Sequence, residues 1–202
     1  MLNPAAIGAV GVDAGLVAAL TSTVAIGASA VAVRARRAVR RTTAELERLA
    51  AHDAVSDLPN RSGLRGWLEA DLAGAAGQTT EIGLLLIDLE RFRHVNDMFG
   101  REVGDQLIRG VADRIRSVLG PGDRLARFGG DEFALVSSGL TGTSGLASHA
   151  ARLIRLIEQP YSIGGQTIRI SASVGAVLAS GASPSADDLI HHADVARYQA
   201  NA

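Results

Sequence analysis

The run Ile82–Leu89, IGLLLIDL, is apolar at every position except Asp88. A strand of this kind, with no alternation of polar side chains, is expected where both faces of a sheet are covered. The rest of the chain has to supply those covers. Val103, Leu107, Val111, Ile115 and Val118 recur at helical spacing and predict an amphipathic helix over Val103–Leu119; Leu146, Ala150, Leu153, Ile154 and Ile157 predict a second. RLARF and EFALVSS predict two short strands on either side of Gly129-Gly130, and TIRISASVGAVLA predicts one long strand, half-exposed on one face. Ala186–Ala200 predicts a closing helix. The order βαββαβ gives an α/β (α+β) fold of the ferredoxin-like, split βαβ type.

That topology has a chemical consequence. With a right-handed first crossover, the third strand slots between the first two and runs antiparallel to the first. The end of strand one, carrying Asp88, then lies beside the start of strand three, carrying Asp131 and Glu132. Hard divalent cations take carboxylate and carbonyl oxygens and commonly hold substrate phosphates as well. Asp88 and Asp131, with Glu132 adjacent and the Leu89 main-chain carbonyl nearby, are expected to supply such a half-open site. Gly129-Gly130 is expected to form a two-residue hairpin turn with positive φ, leaving room for a ligand. A glycine–aspartate turn alone is more often a solvated hairpin; an aspartate ending a buried strand calls for a partner or a metal.

Composition narrows the chemistry further. The net charge of −1 argues against a nonspecific nucleic-acid binder, and no nucleic-acid partner is expected. All 20 basic residues are arginine, which removes P-loop and Schiff-base lysine chemistry. The absence of cysteine removes disulfides and thiolate ligands. Histidines 52, 94, 149, 191 and 192 have no ligand spacing.

Ala14–Val33 is 20 residues long without a charge, the length that spans a bilayer core, and Arg34, Arg36, Arg37, Arg40 and Arg41 follow it. The arginines predict a single-pass cell-membrane anchor with the C-terminal bulk in the cytoplasm. The competing readings are a cleaved leader, for which Ala28-Ser29-Ala30 resembles a processing site, and a buried core helix. Thr42 to about His52 predicts a helix that either pairs with its twin in a dimer or simply links. The expected organisation is residues 1–41 as anchor with basic flank, 42–53 as helical linker and 54–202 as the main domain.

GGDEF at Gly129–Phe133, together with HDAVSDLPNR (His52–Arg61), LLLIDLERFRHVNDMFGREVGD (Leu84–Asp105) and ISASVGAVLA (Ile170–Ala179), resembles the GGDEF family of diguanylate cyclases. The resemblance covers about three quarters of the chain, and the family's fold is similar to the palm of nucleotidyl cyclases and polymerases. It implies condensation of two GTP into cyclic di-GMP with release of pyrophosphate, by a homodimer that brings two GTP half-sites face to face. It implies magnesium (or manganese) held by Asp88, Asp131 and the Leu89 carbonyl in a two-metal scheme. Asp131 then matches the catalytic base, and Glu132 adds charge that holds the metals. Asn96 and Asp105 match the guanine-reading positions.

Several positions depart from the pattern. Gly120 stands where the product-inhibition motif carries arginine, three residues before Asp123. Arg101 replaces a histidine near the nucleotide. DVARYQANA aligns with the family's DxALYxAK, so Asn201 replaces a phosphate-contacting lysine, and a downstream arginine is not reached. Weaker GTP binding is the expectation, with Arg93 the residue placed to compensate. The expected function is a diguanylate cyclase; the alternative is a catalytically weak GGDEF module that binds GTP or a partner and regulates.

Overall fold

The structure, a computed structural model, describes residues 51–75, 81–140, 142–179 and 185–200. The expected membrane span Ala14–Val33 and most of the helix predicted over Thr42–His52 lie outside them. Among the described residues no helix is long and apolar enough to cross a membrane.

The first element is helix α1 (Arg61–Ala75). Asn60 starts it: its side-chain oxygen accepts from the backbone N–H of Ser62 at 2.9 Å and of Gly63 at 3.2 Å, the N-cap arrangement that satisfies otherwise orphaned donors. Leu64, Leu68 and Leu72 recur every four residues and are buried. Strand β1 (Ile82–Glu90) follows, then α2 (Phe92–Phe99) and α3 (Arg101–Arg116). The helix expected over Val103–Leu119 therefore starts and stops earlier. Gly100, at φ +86°, ends α2 and lets α3 begin at the next residue.

Strands β2 (Arg124–Arg127) and β3 (Glu132–Ser138) lead to α4 (Gly142–Ile157), the hairpin β4 (Tyr161–Ile163) and β5 (Gln166–Ile168), strand β6 (Ser171–Ala179) and helix α5 (Ala186–Ala200). The stretch expected as one long strand over Thr167–Ala179 is two strands in two sheets. Gly164 and Gly165, at φ +57° and +78°, turn the chain back so that Gln166–Ile168 pairs with Tyr161–Ile163 before β6 begins. Helices α4 and α5 both contact β6, but it is an edge strand. Val174, Ala176 and Leu178 on one face stay only partly buried, in line with the expected half-exposed face.

The main sheet has the order β2-β3-β1-β6, every pair antiparallel, as the expected βαββαβ core requires. Side chains alternate between two apolar clusters. Leu85, Ile87, Leu89, Phe133 and Leu135 pack with Leu107, Val111 and Ile115 of α3 and with Leu153 of α4. Leu84, Leu86, Ala134 and Val136 pack with Leu64 and Leu68 of α1 and with Leu189 and Ala193 of α5. Ile82 to Ile87 are all buried, the two-sided cover that the apolar run demands, and each such large side chain contributes about 1.5–3 kcal/mol.

Candidate active site

The register between β1 and β3 sets the acidic cluster. Asp88 lies directly across from Glu132, and the backbone N–H of Leu89 donates to the Asp131 carbonyl at 3.1 Å. Because alternate residues face alternate sides, Asp88 and Glu132 share the α5 face with Leu86 and Ala134. Asp131 precedes β3, and with Asp88, Leu89, Phe92 and Arg93 it lines a cleft of about 500 Å³. Topology thus gathers Asp88, Leu89, Asp131 and Arg93 in one cleft.

Glu132 opens on an adjoining cleft of about 450 Å³, shared with Asp194 and Arg197. Asn96 and Asp105 line neither. They meet at the corner of α2 and α3, where the Asn96 amide oxygen stands where a Cβ on Gly104 would fall, one residue before Asp105. Arg101 is exposed at the first position of α3 and also lines neither cleft.

The turn between β2 and β3 is not the two-residue, positive-φ hairpin that the glycines suggest. Neither Gly129 nor Gly130 has positive φ. Phe128 and Gly129 donate their N–H groups to the Glu132 carbonyl at 2.8 and 3.3 Å, closing a longer loop. The glycine that matters for space is Gly129, where a Cβ would come within 2.8 Å of the Glu132 carboxylate.

Two arginines missed by the sequence reading hold this region. Arg127 donates to Asp53 at 2.7 Å and twice to the Gly130 carbonyl, at 2.5 and 3.2 Å. Its backbone N–H donates to the Pro59 carbonyl at 2.8 Å, so the acidic loop is tied to the segment before α1. Burial alone would raise the Asp53 pKa, yet the donors from Arg127 and Ser56 hold it below the ordinary value.

Arg197 sits on the other side. It pairs with Asp88, with Glu132 at 3.2 Å and with Asp194 at 2.7 Å. A signal for it was present: Leu189 and Ala193 are buried on α5, and Arg197 continues that four-residue stripe as a charge on an apolar face. It reaches the acids because α5 lies hard against β6. A Cβ on Gly175 would collide with the backbone of Ala193 and Arg197.

One guanidinium does not balance the cluster. Burial, then the Asp131 charge, pushes the Asp88 carboxyl above its ordinary pKa in spite of Arg197. Burial also raises Glu132; Arg197 lowers it, and Asp88 and Asp131 raise it again. Burial would lower the Arg197 pKa, but its three acids together hold it above the ordinary value. Among the described residues, the Asp131 carboxylate makes no ion pair. An excess of hard oxygen donors at a cleft mouth suits a divalent cation. No three side chains of His, Cys, Asp or Glu among the described residues form a closed metal cage, so such an ion would need ligands from elsewhere.

The family model for "Diguanylate cyclase, GGDEF domain" matches residues 50–202. The chain belongs to the GGDEF-domain family. The bifunctional diguanylate cyclase/cyclic di-GMP phosphodiesterase MucR of Pseudomonas aeruginosa is 35% identical over 94% of this chain and 30% of its own. Diguanylate cyclase TpbB of the same species is 34% identical over 77% of this chain and 36% of its own. Cyclic di-GMP phosphodiesterase PdeR of Escherichia coli is 35% identical over 80% of this chain and 24% of its own. The chain therefore spans about a third or less of the length of these curated relatives.

Among solved structures, the GGDEF domain of TpbB superposes with a TM-score of 0.68 at 33% identity, over 74% of this chain and 88% of that one. A sensory box/GGDEF protein from Caulobacter crescentus gives 0.69 at 31%, over 75% and 97%. The GGDEF domain of DgcB from the same organism, solved with c-di-GMP, gives 0.67 at 27%, over 75% and 90%. The α+β βαββαβ core expected from the strand order, and the nucleotidyl-cyclase-like fold that the resemblance implied, are thus shared with the GGDEF family. The Asp123 carboxylate is a local tie: it accepts from Ser137 Oγ at 2.5 Å and from the Gly120 N–H at 2.8 Å.

Proposed function

We propose that the GGDEF domain of this chain is a diguanylate cyclase that joins two GTP into cyclic di-GMP and releases two pyrophosphates. The observation that carries this reading is the convergence of Asp88, Asp131 and Glu132 at one end of β1 and β3, with more negative charge than Arg197 offsets. Asp88 and Asp131, with the Leu89 carbonyl, would hold magnesium or manganese. When bound, the metal activates the attacking hydroxyl and stabilises the leaving pyrophosphate.

The chain's own residues do the rest. The Asp131 carboxylate accepts the proton of the 3′-hydroxyl as that oxygen attacks the α-phosphorus of the facing GTP and the bond to pyrophosphate breaks. Glu132 adds negative charge beside Asp88. Arg93, exposed at the start of α2 and lining the cleft, meets phosphate oxygens. Asp105 accepts from the guanine ring N–H and exocyclic amine, which adenine does not present together, and Asn96 and Arg101 border the base at the same corner. Two protomers face each other because each holds only one GTP. Anchoring through residues 14–33, with residues 54–202 on the cytoplasmic side, completes the proposal.

A second reading has one specific observation in its favour. Arg197 already pairs with Asp88 and Glu132, which suits a weakly catalytic regulatory module that holds GTP. Incubating the whole chain with GTP and magnesium and resolving the products chromatographically separates the two. Cyclic di-GMP that falls at least about a hundredfold in Asp131→Ala supports the cyclase. Bound GTP without product in the wild-type chain supports the regulator.

A further inference from the structure

Arg197 has two properties that a purely structural ion pair would not combine. Its guanidinium spans Asp88 and Glu132, the acids that face each other across β1 and β3, and it remains fastened to its own helix through Asp194, where Nε and a terminal nitrogen donate at 3.2 and 2.7 Å. Its side chain is 18% exposed, at the wall of a cleft rather than sealed in the core. The oxygens it takes from Asp88 and Glu132 are hard donors at the place where a divalent cation would bind.

Two cations cannot share those oxygens on equal terms. A divalent ion held by these carboxylates would compete with Arg197 for them, whereas the bonds from Nε and a terminal nitrogen to Asp194 would keep the guanidinium at the cleft with donors free. A guanidinium fork matches phosphate oxygens in two-point geometry. A nucleotide arriving with its metal brings those oxygens to the same place.

We propose that Arg197 is an exchangeable counterion: it occupies the Asp88–Glu132 carboxylates in the nucleotide-free protein and transfers to the phosphates of a metal-bound nucleotide. The proposal rests on the cyclase reading of the cleft and adds a coupling to it. Metal alone binds weakly because it must displace Arg197. Metal and nucleotide together bind strongly, because the displaced side chain gains a new partner.

The test uses the whole chain, with manganese alone as the first probe and a non-hydrolysable GTP analogue in saturating manganese as the second. Both are followed by titration calorimetry, and free manganese also by its spin-resonance signal. Arg197→Leu is expected to bind manganese alone about five- to tenfold more tightly and the nucleotide analogue about five- to tenfold more weakly. Arg197→Gln should shift both in the same directions, which covers the case in which the leucine variant fails to fold. A structural role alone would weaken both or neither.

Unchanged or weaker manganese binding in a folded variant overturns the proposal, as does an unchanged affinity for the analogue. If the wild-type chain binds neither probe, the cyclase reading falls and the proposal with it. If the wild type binds both and the variants do not differ from it, only the role of Arg197 is lost.

Discussion

Two arginines stand on opposite sides of the same acidic loop, and their surroundings differ in sign. Arg127, 10% exposed, serves one carboxylate and one carbonyl, and Asp53 responds with a lowered pKa. Arg197 serves three carboxylates, yet Asp88 and Glu132 both keep raised pKa values. The first region is electrically settled and fixes the backbone of the loop. The second carries surplus negative charge in a partly buried place, a cost to folding that a binding site tolerates because a ligand relieves it.

The largest effect is expected where the settled side is broken. Arg127→Ala removes a part-buried ion pair and both hydrogen bonds to the Gly130 carbonyl, and should lower the unfolding free energy by about 2 kcal/mol in urea denaturation. A loss below about 1 kcal/mol would mean that the clasp is ornamental. Gly175→Ala attacks the other side through the backbone, pushing α5 off β6 and Arg197 off its acids. Overpacking of this kind costs about 1–3 kcal/mol, and circular-dichroism melting should show it while the Arg127 clasp stays intact.

Acid titration sharpens the comparison further. The Asp53 pKa is lowered from 3.8, so its contribution is present above that value and is lost as pH falls through the lower folded pKa. In Asp53→Asn, stability should therefore fall less steeply between pH 5 and pH 3 than in the wild type. Asp88 and Glu132 are raised from 3.8 and 4.5, so their contribution is full below those values and fades as pH rises through the higher folded pKa. The same unfolding series, run from pH 4 to pH 7, reads that second limb.

Much of this was written in the order of residues. The apolar run Ile82–Leu89 and the helical spacing of Leu107, Val111 and Ile115 were enough for the βαββαβ core, because burial on a sheet and on a helix imposes different periods. Pairing of the ends of β1 and β3 followed from that topology. The N-cap of α1 at Asn60 and the Gly164-Gly165 hairpin had local signals that a search for long periodic segments passes over.

The two arginines were harder for different reasons. Arg127 and Asp53 are 74 residues apart, and nothing local joins them. Arg197 was visible only as a charge on an apolar stripe, which states that an acid must lie opposite but not which one. The turn glycines misled because a Gly-Gly pair fits both a tight hairpin and a loop that must leave space for the Glu132 carboxylate.

The most direct measurement of the surplus charge is the stability of Asp88→Asn at pH 7.5 without metal or nucleotide. The side chain keeps its shape and loses the charge that burial and Asp131 oppose. Its unfolding free energy should rise by about 0.5–1 kcal/mol above the wild type. A fall would mean that Arg197 fully compensates Asp88, and that the acidic end of β1 and β3 is a structural ion pair like the one at Arg127.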